Sequence, residues 1–372
     1  LIASDQACVA AGVFTTNKVY AAPVAVDREW LADHPERIRA VLINAGNANA
    51  CTAEEGIRNA KQCAAWAAEK LGVAADEVLV MSTGVIGVQL PMEKMQAAIP
   101  LAAADLRADG WHDTAQAMMT TDTKPKIARI AQDGYTIAGV AKGAAMIAPN
   151  MATMLGCIVT DAKIAPVALH QALSQAVSKT FNHIVVDGDM STNDTVLALA
   201  NGASGVEIST AEQVARFTEA LYRVCKVLAQ AIVHDAEGAS RFITLHVTGS
   251  DSFEKAHQIA NVIATSPLVK TAFYGGDANW GRILAAAGRS GVDLDASKLS
   301  LWYEIGEREP KGGLKLCEHG VPLNYPDAEA NAIAASPEVT VTLDLGLGDQ
   351  AATVWTSDLT HDYVSMNGHY RT

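Results

Sequence analysis

The chain's 372 residues suffice for one large or two ordinary domains with a sizeable core. Hydrophobic residues make up 49% and charged ones 19%, as in an ordinary globular protein, and a net charge of −13 argues against nucleic acid or an anionic membrane surface as the main partner. No stretch has the roughly 18 uninterrupted apolar residues of a membrane span, and the six cysteines lack CxxC pairs, which excludes a signalled zinc site or disulfide framework and fits reduced thiols in a cytoplasmic enzyme.

The chain opens on Leu1 rather than Met, in strand-and-turn sequence, so further residues are expected to precede it. "IRAVLIN" (38–44) predicts a buried strand ending at the turn "AGNANA". A helix follows, with Thr52 and Glu55 at capping-box spacing and Ile57, Ala60, Ala64 and Ala67 on one face. "EVLVMSTGVIG" is a strand running into a glycine turn. Residues 165–180 predict a helix with Pro166 early and Leu169, Leu173, Ala176 and Val177 inward. Thr210 and Gln213 open a long helix to about Val233, residues 242–248 alternate as a strand, and Ser252 begins a helix that must stop by Pro267. "EVTVTLDLGLGD" and "AATVWTSDL" predict antiparallel neighbours joined by a Gly-Asp turn. The pattern is mixed α/β without strict strand–helix alternation.

Several loops are rich in Gly, Asn, Thr and Asp. "NAGNANACT" has neither GxGxxG nor GK[ST], so a plain strand-to-helix turn outweighs a phosphate nest. In "STGVIG" (82–87), Thr83 and Gly84 end a strand, and Gly84 permits close backbone approach, so its amide can point at a ligand, a hint of an oxyanion site. Asp187 and Asp189 have the spacing of metal ligands, but Asx-type turns are commoner and no His cluster supports a metal. No GxSxG elbow is present for a serine triad.

"APNMATMLGC" (148–157) sets Thr153 behind small Ala152. The ordinary reading is a Thr at the start of a buried strand. The chemical reading is a nucleophile released as a chain terminus, whose own α-amine, with a pKa of about 8, serves as its base. The hydroxyl would attack the Ala152 carbonyl, and water would hydrolyse the resulting ester. Lys142 offers a cation or base nearby, although a Lys beside glycine is commonly a surface residue.

"KGAAMIAPNMATML" resembles the cleavage-site motif of the ornithine acetyltransferases, the bifunctional glutamate N-acetyltransferases of arginine biosynthesis. The resemblance extends through "AAGVFTTNKVYAAPV", "NAGNANACT", "STGVIG", "MTTDTKPK", "DGDMSTNDT", "DAEGASRFI", "GGDANWGRIL" and "DYVSMNGHYRT", in order over the whole chain. Two departures stand out: Ala144-Ala145 replaces the usual Ser-Gly, and the tail reads "NGHYRT".

The resemblance implies an N-terminal-nucleophile-like layered α/β sandwich, with stacked sheets flanked by helices, of the DmpA and ornithine acetyltransferase type. It implies self-cleavage at Ala152–Thr153 into associated α (1–152) and β (153–372) chains, assembled as two α and two β. Thr153 would be the nucleophile, Thr83 and Gly84 the oxyanion hole, and Thr120, Lys142, Thr153, Glu237, Asn367 and Thr372 the substrate contacts. The substrates would be N-acetylornithine and glutamate. No metal or other cofactor is required, and acetyl-CoA is a co-substrate in some members. A related N-terminal-nucleophile aminopeptidase or amidohydrolase, passing the acyl group to water, is the nearest alternative. A binding protein for an amino acid is a more distant one, and it would have no need of chain cleavage.

Overall fold

The computed structural model describes residues 1–148 and 154–369. Among the described residues the chain divides into two compact units, one of Leu1–Asn182 with Asp189–Ile232, the other of His183–Gly188 with residues 233–369.

The first unit is built on a seven-stranded sheet in the order Val78–Val85, Ile38–Asn47, Ile2–Phe14, Thr195–Ala200, Leu155–Thr160, Tyr135–Lys142, Lys126–Gln132. The pairs 38–47/78–85 and 155–160/195–200 run parallel and the rest antiparallel. Strands from either side of residue 152 are interleaved: 155–160 and 195–200 lie in the middle, between strands of the earlier chain. Helices Ala22–Asp33 and Ala53–Leu71 cover part of this sheet, burying Val26 and Trp30 with Ala60, Ala64 and Ala67 against Val41, Leu79 and Met81. Burying this apolar surface supplies the main driving force of the layer.

The edge strand Val78–Val85 carries backbone N–H groups with no strand beyond it. Asp27 answers one of them. Its Oδ1 accepts from Val80 N–H at 2.8 Å, fully buried under the helix that covers this edge. Burial pushes the Asp27 carboxyl well up, which offsets the cost of placing an acid there.

Helix starts test the capping expectations. Pro166–Ser178 begins at its proline and buries Leu169, Leu173, Ala176 and Val177. At Ala211–His234, Thr210 Oγ1 accepts from Gln213 N–H at 3.2 Å and Gln213 Oε1 accepts from Thr210 N–H at 2.9 Å, a complete capping box. Ser252 caps Phe253–Ala264, and Pro267 opens a further helix. The box expected at Thr52 and Glu55 does not form. Asn49, held at φ +48°, turns its side chain to Thr52, whose hydroxyl donates to Asn49 Oδ1 at 2.8 Å instead of accepting from the helix.

The second unit has its own seven-stranded sheet, in the order Val321–Pro322, Leu314–Glu318, Ser300–Ile305, Glu338–Asp344, Phe242–Ser250, Gln350–Ser357, Ile184–Val185. Helices 253–264, 267–275, 280–288 and 327–334 contribute to its core. Here the expected hairpin is corrected: 338–344 and 350–357 do not pair. Phe242–Ser250 lies between them, parallel to the first and antiparallel to the second. The connecting loop bonds across the end of this central strand, through Leu345 N–H to Thr248 O and Leu347 N–H to Gly249 O. Every residue of 242–250 is buried, as befits a central strand rather than the half-exposed alternating one expected.

Candidate functional site

In the first unit, three of the predicted site residues meet at one ammonium. Lys142 ends the strand Tyr135–Lys142 and is 3% exposed. Its Nζ donates to Thr120 Oγ1 at 2.9 Å and to Thr83 Oγ1 at 3.3 Å. The buried-residue reading of Lys142 therefore displaces the surface-lysine one. Each hydroxyl accepts from the ammonium, and neither donates its own O–H to a described residue. A hydroxyl that accepts from a cation becomes a better donor. The result is a donor-rich cluster suited to developing negative charge or a carboxylate.

Asp122, in the motif that supplies Thr120, sits behind this group. Its Oδ1 accepts from Lys126 Nζ at 2.7 Å and from Gly143 N–H at 2.6 Å. Its Oδ2 accepts from Thr120 N–H at 3.2 Å and lies 3.9 Å from Lys142 Nζ. Burial alone would push the Asp122 carboxyl up, but the Lys142 and Lys126 ammoniums with the Gly143 N–H outweigh it and hold the group below the usual range.

Gly84 follows Thr83 in register with Gly46 of the neighbouring strand. Its φ is +131°, and a Cβ there would fall 2.2 Å from the Gly46 carbonyl carbon. Close backbone approach is thus a strand-packing requirement in its own right.

Ala152 and Thr153 lie outside the described residues. Met154, which follows them, is buried and donates its N–H to Asp194 Oδ1 at 3.0 Å, and Leu155 pairs with Lys142 on one side and Thr195 on the other. Asp194 is wholly buried, and its Oδ2 has no hydrogen-bond partner among the described residues. Burial pushes this carboxyl well up, against the pull of the Met154 N–H and the Lys142 charge. Beside it, Asn193 Nδ2 donates to Ala48 O at 2.6 Å and Ser82 O at 2.8 Å, while Thr15 N–H donates to Asp194 O. Segments of four motifs, separated widely in sequence, are tied together by these bonds.

Glu237 and Asn367 belong to the second unit. Asn367 Nδ2 donates to Glu237 Oε2 at 2.7 Å, from a helix spanning His361–His369. Thr360 accepts from Tyr363 N–H at the start of that helix and donates to Gly238 O at 2.6 Å. Gly238, at φ +64°, would place a Cβ 2.4 Å from Tyr363 N, so only glycine admits the helix here. Thr372 lies outside the described residues. Asp187 accepts from Tyr363 O–H at 3.2 Å, and among the described residues no group of three or more His, Cys, Asp or Glu is placed to hold a metal.

Sequence reasoning singled out Thr83, Gly84, Thr120 and Lys142, but missed Asp122, Lys126, Asn193 and Asp194. The available signal was their place inside the quoted motifs, where short polar side chains hold backbone groups rather than ligands.

The sequence matches the ArgJ family over residues 1–372. It is 47% identical to the arginine biosynthesis bifunctional protein ArgJ of Geobacter sulfurreducens, covering 100% of this chain and 94% of that protein. It is 45% identical to the protein of the same name from Thermotoga neapolitana, again over 100% of this chain and 94% of the relative. A solved structure of arginine biosynthesis bifunctional protein ArgJ from Bacillus halodurans aligns with a TM-score of 0.53 at 38% identity, covering 56% of this chain and 96% of that one. The expected α/β fold class is the one found.

Proposed function

The chain belongs to the ArgJ family and is a bifunctional acetyltransferase of arginine biosynthesis, and we propose that it moves the acetyl group from N-acetylornithine to glutamate on Thr153 after cutting its own Ala152–Thr153 bond. The observation that carries this reading is the buried Lys142 ammonium bonded to both Thr83 and Thr120 hydroxyls, on the strand paired with the one that begins just after Thr153.

The steps follow from the groups present. Thr153 Oγ attacks the acetyl carbonyl of N-acetylornithine, and its proton passes to the α-amine freed by cleavage. The tetrahedral oxyanion is held at Thr83 and Gly84. The C–N bond breaks, the amine returns the proton, and ornithine leaves. The amine of glutamate then attacks the acetyl ester, the C–O bond breaks, and Thr153 recovers its proton. Lys142 with Thr120, and Glu237 with Asn367, supply charges and hydrogen bonds for the amino-acid ends, joined by Thr372. Acetyl-CoA is the second donor to assay, and no metal takes part.

Cleavage would give an α chain, 1–152, and a β chain, 153–372, associated as two α and two β. The solved relative's chain is little more than half as long as this one, the length of such a fragment. Among the described residues no helix is long and apolar enough to cross a membrane, and all six cysteines are free, which fits the cytoplasm.

The test is an intact-mass spectrum followed by an acetyl-transfer assay. Two fragments of 152 and 220 residues are expected, the second starting at Thr153, with acetyl passing to glutamate rather than to water. Thr153→Ala should stay one inactive chain. A protease-free Thr153→Ala preparation that is nevertheless cut would sink self-processing, and release of free acetate in place of acetylglutamate would favour the amidohydrolase.

A further inference from the structure

We propose that Asp122 is a positioning residue for the transfer reaction, fixing both the place and the charge of Lys142 and the backbone of Thr120 from a buried ion cluster with Lys126. The inference rests on the reading of Lys142 and Thr120 as substrate contacts.

Each Asp122 oxygen has a distinct task. Oδ1 joins Lys126 Nζ to the N–H of Gly143, the residue directly after Lys142, so it sets where the Lys142 strand ends. Oδ2 accepts from Thr120 N–H and faces Lys142 Nζ. One carboxylate thereby sets the relative positions of two substrate contacts that lie 22 residues apart in sequence. Asp122 touches no reacting atom in this scheme. It acts through its neighbours.

Charge is the second part of the argument. Lys142, Lys126 and Asp122 are all buried, two cations against one anion. Asp194 also feels the Lys142 charge, and burial disposes it to hold its proton. Asp122 pairs with both ammoniums and limits their mutual repulsion. Without Asp122, both ammoniums would lose the carboxylate that they share. Without Lys126, one ammonium fewer draws on the Asp122 carboxylate.

Opposite pH shifts follow. The test measures kcat and KM for N-acetylornithine against pH in the processed enzyme. In Asp122→Asn, which keeps the shape, kcat/KM should fall about 10- to 100-fold and the alkaline rise in KM should begin about one pH unit lower. In Lys126→Met, where Asp122 retains its charge partner Lys142, the same rise should move to higher pH. Asp122→Glu keeps the charge and should hold the rise at its wild-type position while lowering the rate. A purely structural role would change the melting temperature and leave all three profiles superimposed, which would overturn the proposal, as would shifts of Asn and Met variants in the same direction. Should Asp122→Asn fail to fold, the upward shift in Lys126→Met still decides. Wild-type enzyme that transfers no acetyl group would instead refute the underlying functional reading.

Discussion

Gly84 faces Gly46 across two parallel strands at a distance that admits no side chain: a Cβ added to Gly84 would fall 2.2 Å from the Gly46 carbonyl carbon and 2.5 Å from Asn47 N. Gly84→Ala would therefore strain the sheet before it touched any oxyanion. We expect it to lower stability by about 3 kcal/mol or more, seen as a falling melting temperature or loss of soluble protein. The cleaner probe is Thr83→Val, which removes the hydroxyl and keeps the shape. In processed enzyme its kcat should fall about 10²- to 10³-fold with little change in KM. Turnover within a factor of two of wild type would remove Thr83 from the oxyanion role.

Asn367 is half committed already, since its amide nitrogen donates to Glu237 and to Tyr363 O. The helix that carries it has no buried residue among those described, so little stability depends on this side chain. Asn367→Ala should raise the KM for the amino-acid substrates about tenfold and leave the melting temperature within a degree or two. Deleting residues 367–372 should spare cleavage and cost transfer by orders of magnitude. Wild-type KM in the alanine variant would show that the amide serves only to hold Glu237.

Lys270 is a buried cation in the second unit, donating to Thr356 Oγ1 at 3.0 Å and to the Ser357 carbonyl. Burial lowers its pKa to about 8, against the opposing pull of Asp358 and Asp187. Below that value the folded chain must bury the charge, whereas an unfolded lysine keeps its proton up to about 10.4. The cost is therefore fully present at neutral pH and relieved as the pH rises from 8 towards 10. Lys270→Met never bears it, so denaturant unfolding should show wild type gaining on the variant across that window. Parallel pH profiles would mean that Lys270 loses nothing on burial.

Asp194 shows the converse case. Its carboxyl is pushed up by burial, so the folded chain holds the proton where the unfolded chain has released it. This contribution is full below about pH 3.9, the unfolded value, and is lost as the pH rises through the folded one. Asp194→Asn has the same shape and no charge. Its melting temperature should gain on wild type as the pH is raised from 4 towards neutrality. Equal slopes would mean that the acid ionises as freely folded as unfolded.

Local features were legible in the sequence and non-local ones were not. Pro166 and the Thr210–Gln213 pair mark helix starts because the groups that satisfy them lie within one turn. Thr52 and Glu55 have the same spacing, yet Asn49 captures the hydroxyl, a competition that spacing does not reveal. The strand 242–250 enters between 338–344 and 350–357 because its own burial demands two neighbours, which a hairpin reading of the last segments overlooks. Thr83, Thr120 and Lys142 came from the motifs and do meet. Asp122 and Asp194 escaped notice because nothing in composition distinguishes a solvated aspartate from one buried against backbone N–H groups.

The interleaved sheet of the first unit gives a break at residue 152 an unusual character. Six paired positions tie 155–160 to 135–142, and six more tie 195–200 to 2–14. Lifting the later strands out would leave 1–152 with two orphaned ladders, a three-strand piece and a two-strand piece, facing each other across an empty slot. Neither fragment owns this sheet whole, although the sheet of the second unit lies entirely within 153–372. A chain cut there would part its two pieces only by pulling the first unit's sheet open, so dilution alone should not separate them.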